Sequence, residues 1–171
     1  IDVGYGQIAW KLRQDERVQV IEKTNFRYFT PEDLSVSVPL IVIDVSFISL
    51  RLIIPNTINF LKDEGDIIAL IKPQFEAGKD RIGKKGIVKK QSIHTEILKE
   101  IIDFFINENL QIKGLDYSPI TGASSKNIEF ICHIKYNKGR NYNLNTETKN
   151  IGDLYKIIKD VVEKAHNSLD K

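Results

Sequence analysis

The sequence predicts an α/β fold in which an open, mostly parallel sheet carries helices on both faces. Short apolar runs alternate with helix-like segments along most of the chain. Two of these runs, residues 40–43 and 67–71, are continuously apolar, which is typical of strands buried on both faces of a parallel sheet. The alternation of strands and helices favours helices packed in layers on a central sheet.

Other elements of the first half are predicted from apolar periodicity and from the positions of proline. A helix start is expected where Pro31 follows Thr30, because proline is favoured in the first helical turn. Pro55 must kink or split a longer helix. In chain order, the predicted segments are a strand at residues 1–3, a helix at 7–14, a strand at 18–21, the helix start at 30–33 and the longer helix at 47–62.

The second half is predicted to hold a loop, a helix and two closing strands. Residues 76–90 are rich in glycine and lysine and contain few apolar side chains, so a loop is expected there. Apolar residues recur at helical spacing over residues 92–109. Strands are expected at residues 111–117 and 128–136, joined by a turn-rich stretch at residues 118–127.

A polar, asparagine-rich linker is predicted to precede the last helix. Asn150 can cap this helix, and the apolar stripe that follows must pack on other parts of the protein. We therefore expect one domain over residues 1–136, a linker over 137–149, and a C-terminal helix over 150–171 that packs on the same domain.

Composition and residue spacing exclude several classes of protein. The net charge of +2 does not by itself indicate a nucleic-acid partner. A single cysteine, Cys132, is expected to be a buried core thiol, and it suits a reducing, cytoplasmic compartment. The longest apolar stretch, residues 41–61, is broken by charged residues and proline, so no membrane span is expected. His94, His133 and His166 lack the spacing of metal ligands, and no metal site is predicted.

Polar residues follow the predicted strands at the edge of the sheet where such folds bind ligands. They are Asp2, Glu22, Asp44 and Lys72. Glu22 could face the adenine or ribose of a nucleotide cofactor, with Thr24 and Asn25 beside it, or it could serve a structural role.

The Asp-Val-Gly-Tyr-Gly segment at residues 2–6 has two interpretations. It could be the glycine loop after a first strand, or the end of a second strand whose acid, Asp2, binds cofactor ribose hydroxyls. In the first case a third strand and two helices would have to fit into residues 23–38, which are too few. We therefore take Asp2 as the second-strand acid and expect the first strand and its glycine loop to be missing from the chain.

Two strings resemble the TlyA-type branch of the FtsJ-like methyltransferases, whose members often carry the name haemolysin. They are Ile-Asp-Val-Ser-Phe-Ile-Ser-Leu at residues 43–50 and Ile-Lys-Pro-Gln-Phe-Glu at residues 71–76. The resemblance runs to about residue 136. It implies a Rossmann-like class I methyltransferase fold and S-adenosylmethionine-dependent methylation of a ribose 2′-hydroxyl in ribosomal RNA, with cytidine as the target.

The resemblance also implies catalytic residues. FtsJ-like enzymes use a Lys-Asp-Lys-Glu tetrad, and Asp44, Lys72 and Glu129 match three of its members. The first lysine has no counterpart in the chain, nor does an N-terminal RNA-binding module. Glu129 lies one residue into a predicted apolar strand, where a carboxylate is costly without a partner such as Lys72. The alternatives are that Asp44 caps a helix and that Lys72 is a solvated lysine.

The same resemblance implies that residues at the strand ends bind the methyl donor. The predicted cofactor-binding residues are Asp2, Gly4, Glu22, Thr24, Asn25 and Asp44. With the first glycine loop missing, we expect the chain by itself to bind the donor poorly.

A basic segment, residues 79–90, directly follows the Lys72 string. It is expected to contact RNA phosphates, or else to be a solvated loop. The predicted RNA-binding residues are Lys79, Arg81, Lys84 and Lys85. Glu76, which precedes them, could be the structural partner of a nearby basic residue.

Two other functions compete with the enzyme hypothesis. The chain could be a non-catalytic RNA-binding protein with a methyltransferase fold, although the retained Asp44, Lys72 and Glu129 argue against degeneration. It could also be a membrane-active haemolysin, but the sequence contains no hydrophobic span or strongly basic amphipathic helix to support that.

Overall fold

A four-stranded sheet lies at the centre of the computed structural model, which describes residues 1–32, 34, 36–122, 126–139 and 151–169. The strands are β1 (Val38–Ile43), β2 (Leu61–Ile71), β3 (Gln111–Tyr117) and β4 (Phe130–Lys135), arranged in the order β1-β2-β4-β3. The predicted cap Asn150, most of the predicted linker and part of the turn-rich stretch lie outside the described residues.

The predicted α/β class is confirmed, but the described sheet is mixed rather than mostly parallel. β1 and β2 are parallel, whereas β4 runs antiparallel to both β2 and β3. The parallel pair brings the ends of β1 and β2 to the same edge of the sheet. This edge carries the residues that follow Ile43 and Ile71.

Two long helices cover one face of the sheet. The helices are α1 (Trp10–Arg13), α2 (Ile54–Thr57), α3 (Pro73–Glu76), α4 (Gln91–Asn107) and α5 (Ile151–Leu169), and only α4 and α5 are long. Their apolar stripes join β2 and β4 in one core. Members of this core include Leu98, Ile101, Phe105, Ile158 and Val162 from the helices and Ile67, Ala69, Phe130, Cys132 and Ile134 from the strands.

The C-terminal helix α5 is fastened to the rest of the fold by polar contacts as well as by its apolar stripe. Tyr155 donates its hydroxyl hydrogen to the Asp103 carboxylate on α4, at 2.8 to 2.9 Å. His166 lies 2.9 Å from the buried His94 in a hydrogen bond between the two rings. These contacts support our proposal that residues 150–171 belong to the same domain.

The prediction that β1 is buried on both faces is wrong. Leu40 is 51% exposed and Val42 is 68% exposed, whereas Ile43 on the other face is buried. The described helices with buried stripes pack on the face of Ile43, so the side chains of Leu40 and Val42 have no helix against them. The outer edge of β1 also has no partner strand in the described part of the chain.

The first elements are shorter than predicted. Residues 1–3 and 18–21 form no regular strand, although three backbone hydrogen bonds link residues 2–4 to residues 21–24. The predicted helix over residues 7–14 is limited to the four residues of α1. None of these four is buried, so no tertiary packing extends the helix beyond one turn.

The predicted helix start at residues 30–33 is also wrong. The chain makes a turn at Pro31 and Glu32, and Asp33 lies outside the described residues. A 3-10 helix, Phe26–Tyr28, forms just before it. Its Phe26 packs with Phe29 and Phe60, with ring centroids 5.5 to 6.2 Å apart.

The longer helix predicted over residues 47–62 is split, as Pro55 required. The 3-10 helices Leu50–Leu52 and Ile58–Phe60 flank α2, and Pro55 lies in the first turn of α2, where the missing N–H does no harm. Helical structure begins three residues later than predicted, at Leu50, and β2 starts at Leu61.

Cys132 confirms one prediction. It is fully buried in the core, and burial raises the pKa of its thiol. His94 and His166, which are far apart in sequence, are in contact in the fold. Within the described ranges, no group of residues has the composition of a metal site and no helix is long and apolar enough to cross a membrane.

Candidate active site

The predicted catalytic residues Asp44 and Lys72 meet at the edge of the sheet. Each follows directly on the end of a strand, and the strands are parallel neighbours in register at Ile43 and Ala69. The Lys72 ammonium lies 2.7 Å from Asp44 Oδ1 and donates a hydrogen bond to Ser46 Oγ at 3.0 Å.

The two charged groups of this pair differ in their access to solvent. The side chain of Lys72 is 12% exposed, whereas that of Asp44 is 67% exposed. α3 begins directly after Lys72 with the buried Pro73, which fixes the backbone where the lysine leaves the sheet. The ammonium is therefore held in a partly desolvated position beside an open carboxylate.

Asp44 does not cap a helix. The first helical turn after β1 starts at Leu50, and its cap is Ser49, whose hydroxyl accepts a hydrogen bond from Arg51 N–H. The capping role that was the alternative for Asp44 therefore belongs to Ser49.

Glu129, the third predicted catalytic residue, lines the same pocket as Lys72. The pocket has a volume of about 400 Å³. The expected ion pair between Glu129 and Lys72 is absent, because the ammonium is bonded to Asp44 and Ser46. The pocket is lined by Ser46, Phe47, Lys72, Gln74, Phe75, Lys85, Gly86, Gly122, Asn127 and Glu129.

An exposed aromatic residue stands at this pocket. Phe47 is 91% exposed, and its backbone lies in the left-handed region with φ 61°. Its ring centroid is 5.0 Å from that of Phe75. The exposed Phe47 ring and the neighbouring Phe75 ring together give the pocket an aromatic surface on which a flat ligand group could stack.

Sequence reasoning assigned no role to several residues of this pocket. Ser46, Phe47 and Gln74 lie inside the two strings that carry the family resemblance. Their position in those strings could have identified them as pocket residues. Gln74 Oε1 is buried and has no hydrogen-bond partner among the residues described. Asn127 belongs to the Asn-Ile-Glu-Phe segment at residues 127–130, which also carries the resemblance, but its side-chain partners Gly86 and Val88 are distant along the chain and were not predicted.

Glu76 is a buried acid that joins the segment of residues 71–76 to the segment of residues 43–50 by hydrogen bonds. Its carboxylate accepts hydrogen bonds from Ser49 Oγ at 2.6 Å and from Leu50 N–H at 2.8 Å. Arg51 is the basic partner, 3.3 Å away. The side chain is only 2% exposed, and burial raises the pKa of the Glu76 carboxyl despite these contacts.

Asp2 and Gly4 form a tight turn among the residues predicted to bind a cofactor. Asp2 Oδ1 accepts a hydrogen bond from Gly4 N–H at 2.6 Å. A Cβ at Gly4 would lie 3.1 Å from that oxygen and 3.2 Å from Gln7 Cγ, so the turn favours glycine. The second oxygen of Asp2 makes no hydrogen bond to the described residues, so the acid fits a role in binding ribose hydroxyls.

Glu22 is directed into the protein rather than towards a ligand. Its side chain is 6% exposed, and its carboxylate binds Gly6 N–H at 2.8 Å and the Arg13 guanidinium at 2.7 Å. The hydrogen bond from Arg13 lowers the pKa of Glu22. Thr24 and Asn25 line a different pocket of about 530 Å³ beside Glu22.

The predicted RNA-binding residues have different surroundings. Arg81 donates to both carboxylate oxygens of Glu100, at 2.6 and 2.9 Å, so its guanidinium is already engaged. Lys85 lines the pocket of Lys72 and Glu129, and Lys79 is exposed to solvent. The side chain of Lys84 lies outside the described structure.

Comparisons with known proteins identify the family of the chain. The family model of FtsJ-like methyltransferases matches residues 1–135. The chain is 54% identical over 137 residues to YqxC of Bacillus subtilis, a proposed rRNA methyltransferase, covering 80% of this chain and 48% of that protein. It is 38% identical over 134 residues to the 16S/23S rRNA (cytidine-2′-O)-methyltransferase TlyA of Mycobacterium tuberculosis, covering 78% of this chain and 50% of that protein.

A solved structure is also similar over nearly the whole chain. A proposed hemolysin from Streptococcus thermophilus superposes with a TM-score of 0.85 at 43% identity, covering 98% of this chain and 57% of that one. The chain thus spans about half the length of the curated relatives that it matches.

Proposed function

The chain belongs to the FtsJ-like methyltransferase family, and on that basis we propose that the full-length protein methylates a ribose 2′-hydroxyl of ribosomal RNA with S-adenosylmethionine as donor. The observation that carries the proposal is the Lys72 ammonium, bonded to Asp44 and lining one pocket with Glu129. Cytidine is the proposed target, because the TlyA relative is named as a cytidine-2′-O-methyltransferase.

Lys72 is proposed to activate the ribose hydroxyl as a nucleophile. The hydroxyl is a poor nucleophile until its proton leaves or its developing negative charge is stabilised. The ammonium of Lys72 is placed to stabilise that charge, and Asp44 orients the ammonium. Glu129 is our candidate to accept or relay the proton within the pocket.

Residues at the strand ends are proposed to hold the methyl donor. When bound, the donor supplies a methyl carbon already activated by its sulfonium. Asp2 binds the donor ribose through its second carboxylate oxygen, and Gly4 keeps the backbone bare beside it. Glu22 acts indirectly, because it holds the Gly6 backbone and Arg13 in place. Thr24 and Asn25 contact the adenosine part from their neighbouring pocket, and Asp44 also borders the donor.

RNA contact is proposed to come from the basic segment, with Lys79, Lys84 and Lys85 as its phosphate ligands. Arg81 has a structural role instead, because Glu100 occupies its guanidinium. A cytoplasmic location follows as part of the same proposal, since ribosomal RNA is the substrate.

A comparison of ribosomal RNA from cells with and without the intact gene tests the proposed activity. Ribose methylation should disappear at one or a few cytidines when the gene is deleted, and return when it is restored. An unchanged map would contradict the enzymatic proposal. RNA binding without methylation would favour the non-catalytic alternative, and leakage of liposomes by pure protein would favour the haemolysin alternative.

Phe47 is predicted to stack on the target base. Replacing Phe47 by alanine should lower kcat/KM for the substrate RNA about 5- to 160-fold, because stacking of a base on an aromatic side chain contributes about 1–3 kcal/mol. The measurement is kcat/KM for RNA methylation by the full-length protein. Trp10→Ala is the matched control, since Trp10 is also exposed but does not line the pocket. An unchanged kcat/KM in Phe47→Ala would show that the ring is not a base platform.

A further inference from the structure

The basic segment after Lys72 is anchored to the rest of the fold at two points. Near its start, Arg81 forms the paired hydrogen bonds with Glu100 on α4. α4 is part of the core, so this anchor joins the segment to a rigid element. A solvated, freely moving loop would not need such an attachment.

The second anchor is the buried residue Asn127. Its Nδ2 donates a hydrogen bond to Gly86 C=O at 3.0 Å, and its Oδ1 accepts one from Val88 N–H at 3.0 Å. Asn127 is 1% exposed and lies two residues before Glu129. One side chain therefore joins the basic segment to the stretch of chain that carries the predicted catalytic acid.

Between the anchors the backbone closes into a compact turn. Gly86 N–H donates to Gly83 C=O at 3.1 Å, and Gly83 N–H donates to Ile87 C=O at 2.9 Å. Gly86 has φ +73°, and a Cβ at Gly83 would lie 3.0 Å from Ile87 O. The turn is thus built for glycine at both positions.

Lys85 occupies an unfavourable backbone position inside this turn. Its φ is 70°, in the left-handed region that residues with a Cβ avoid. Such a conformation persists when the surrounding structure imposes it, and it is commonest at functional sites. Lys85 lines the pocket together with Lys72 and Glu129.

We infer that Asn127 is a positioning residue that holds Lys85 at the pocket, where the Lys85 ammonium binds an RNA phosphate next to the reactive ribose. The inference rests on the proposed function for the identity of the ligand as RNA. An ammonium is a compact charge suited to a phosphate oxygen. A cation held in place by its backbone loses less conformational freedom on binding than one on a mobile loop.

RNA binding by the full-length protein tests this inference without requiring methylation. The probe is a short fluorescein-labelled single-stranded RNA, titrated at a series of salt concentrations. Lys85→Gly removes the ammonium and suits the left-handed backbone, so the variant should stay folded. It should weaken binding and reduce the slope of log K against log salt by about 0.7, the value for one phosphate contact to a single strand.

Asn127→Leu should reproduce the same change in slope although it removes no charge. In the Lys85→Gly background the Asn127→Leu substitution should weaken RNA binding no further, because it acts through Lys85. Its effect on melting temperature should persist in both backgrounds. Lys159→Ala on α5 is the control for a lysine that is exposed and remote from the pocket.

A second substitution keeps the test decisive if Asn127→Leu does not fold. Asn127→Ser is uncharged, like asparagine, and its hydroxyl is too short to bridge both Gly86 C=O and Val88 N–H. It too should weaken RNA binding in the wild-type background and not in the Lys85→Gly background. Equal weakening in both backgrounds, or an unchanged slope in Lys85→Gly, would overturn the inference.

The outcomes also separate this inference from the proposed function. Normal methylation with an unchanged salt slope in Lys85→Gly would refute the role of Lys85 and Asn127 and leave the methyltransferase proposal standing. The expected changes in slope without any methylation of ribosomal RNA would do the reverse.

Discussion

Replacing Lys72 by alanine should abolish methyl transfer by the full-length protein while leaving its affinity for the methyl donor nearly unchanged. The ammonium is bonded to Asp44 and Ser46 at the pocket, where the proposed reaction would develop charge on the ribose oxygen. Removing one such stabilising donor lowers kcat by about 10²- to 10³-fold in enzymes with an oxyanion site. The loss should appear in kcat, because the interaction is strongest in the transition state.

Steady-state methylation and calorimetric titration of the donor are the two measurements for Lys72→Ala. Lys72→Arg should not restore turnover, since a planar guanidinium cannot replace a compact ammonium in contact with both Asp44 and Ser46. Lys62→Ala is the matched control, because Lys62 is exposed on β2 away from the pocket. Loss of donor binding with turnover retained would place Lys72 in the donor site instead.

Replacing Glu76 by alanine should destabilise the fold by about 3–5 kcal/mol, the cost of removing one partner from a buried ion pair. The change leaves Leu50 N–H and the Ser49 hydroxyl without their acceptor and removes the partner of Arg51. Urea unfolding measures the effect. Glu163→Ala on α5 is the control, since Glu163 is exposed and should change the free energy of unfolding by less than about 0.5 kcal/mol. A similar change in both variants would contradict the structural role of Glu76.

Glu76→Gln should be milder and should alter the pH dependence of stability. The amide oxygen can still accept from Leu50 N–H, so a cost of about 1–2 kcal/mol is expected. Because the pKa of Glu76 is raised in the folded state, the folded protein binds this proton more tightly than the unfolded chain does. The contribution of Glu76 to the free energy of unfolding is therefore greatest below the ordinary pKa of 4.5. It falls as the pH rises from 4.5 through the raised pKa of the folded state.

The glutamine variant should lack that fall, which urea titrations across the same pH range would reveal. If wild type and Glu76→Gln show parallel stability curves from acid to neutral pH, the carboxyl of Glu76 does not titrate differently in the folded protein.

Sequence alone determined the main elements of the fold where local pattern was strong. The strand predicted at residues 111–117 is β3 at the same bounds, and the helix predicted at residues 92–109 is α4 within two residues at each end. Pro55 splits its helix as expected. These features depend on periodicity or on the geometry of a single residue, which neighbouring positions in the chain already specify.

The strings around Asp44 and Lys72 likewise indicated the site, because consecutive parallel strands bring their ends to one edge. Only the tertiary structure decided which side chains form hydrogen bonds and ion pairs with each other. Lys72 contacts Ser46 as well as Asp44, Arg81 pairs with Glu100 rather than remaining available for RNA, and Glu22 turns inward to Arg13.

The burial of β1 and the role of Asn127 were equally beyond the sequence. A continuous apolar run at residues 40–43 is compatible with one covered face or two, and only the packing of α4 and α5 on the side of Ile43 leaves Val42 exposed. Asn127 bonds to Gly86 and Val88, about 40 positions away. Periodicity depends on residues that are neighbours along the chain. The burial of a strand face and the choice of hydrogen-bond partners depend instead on which segments, distant in sequence, pack together in the fold.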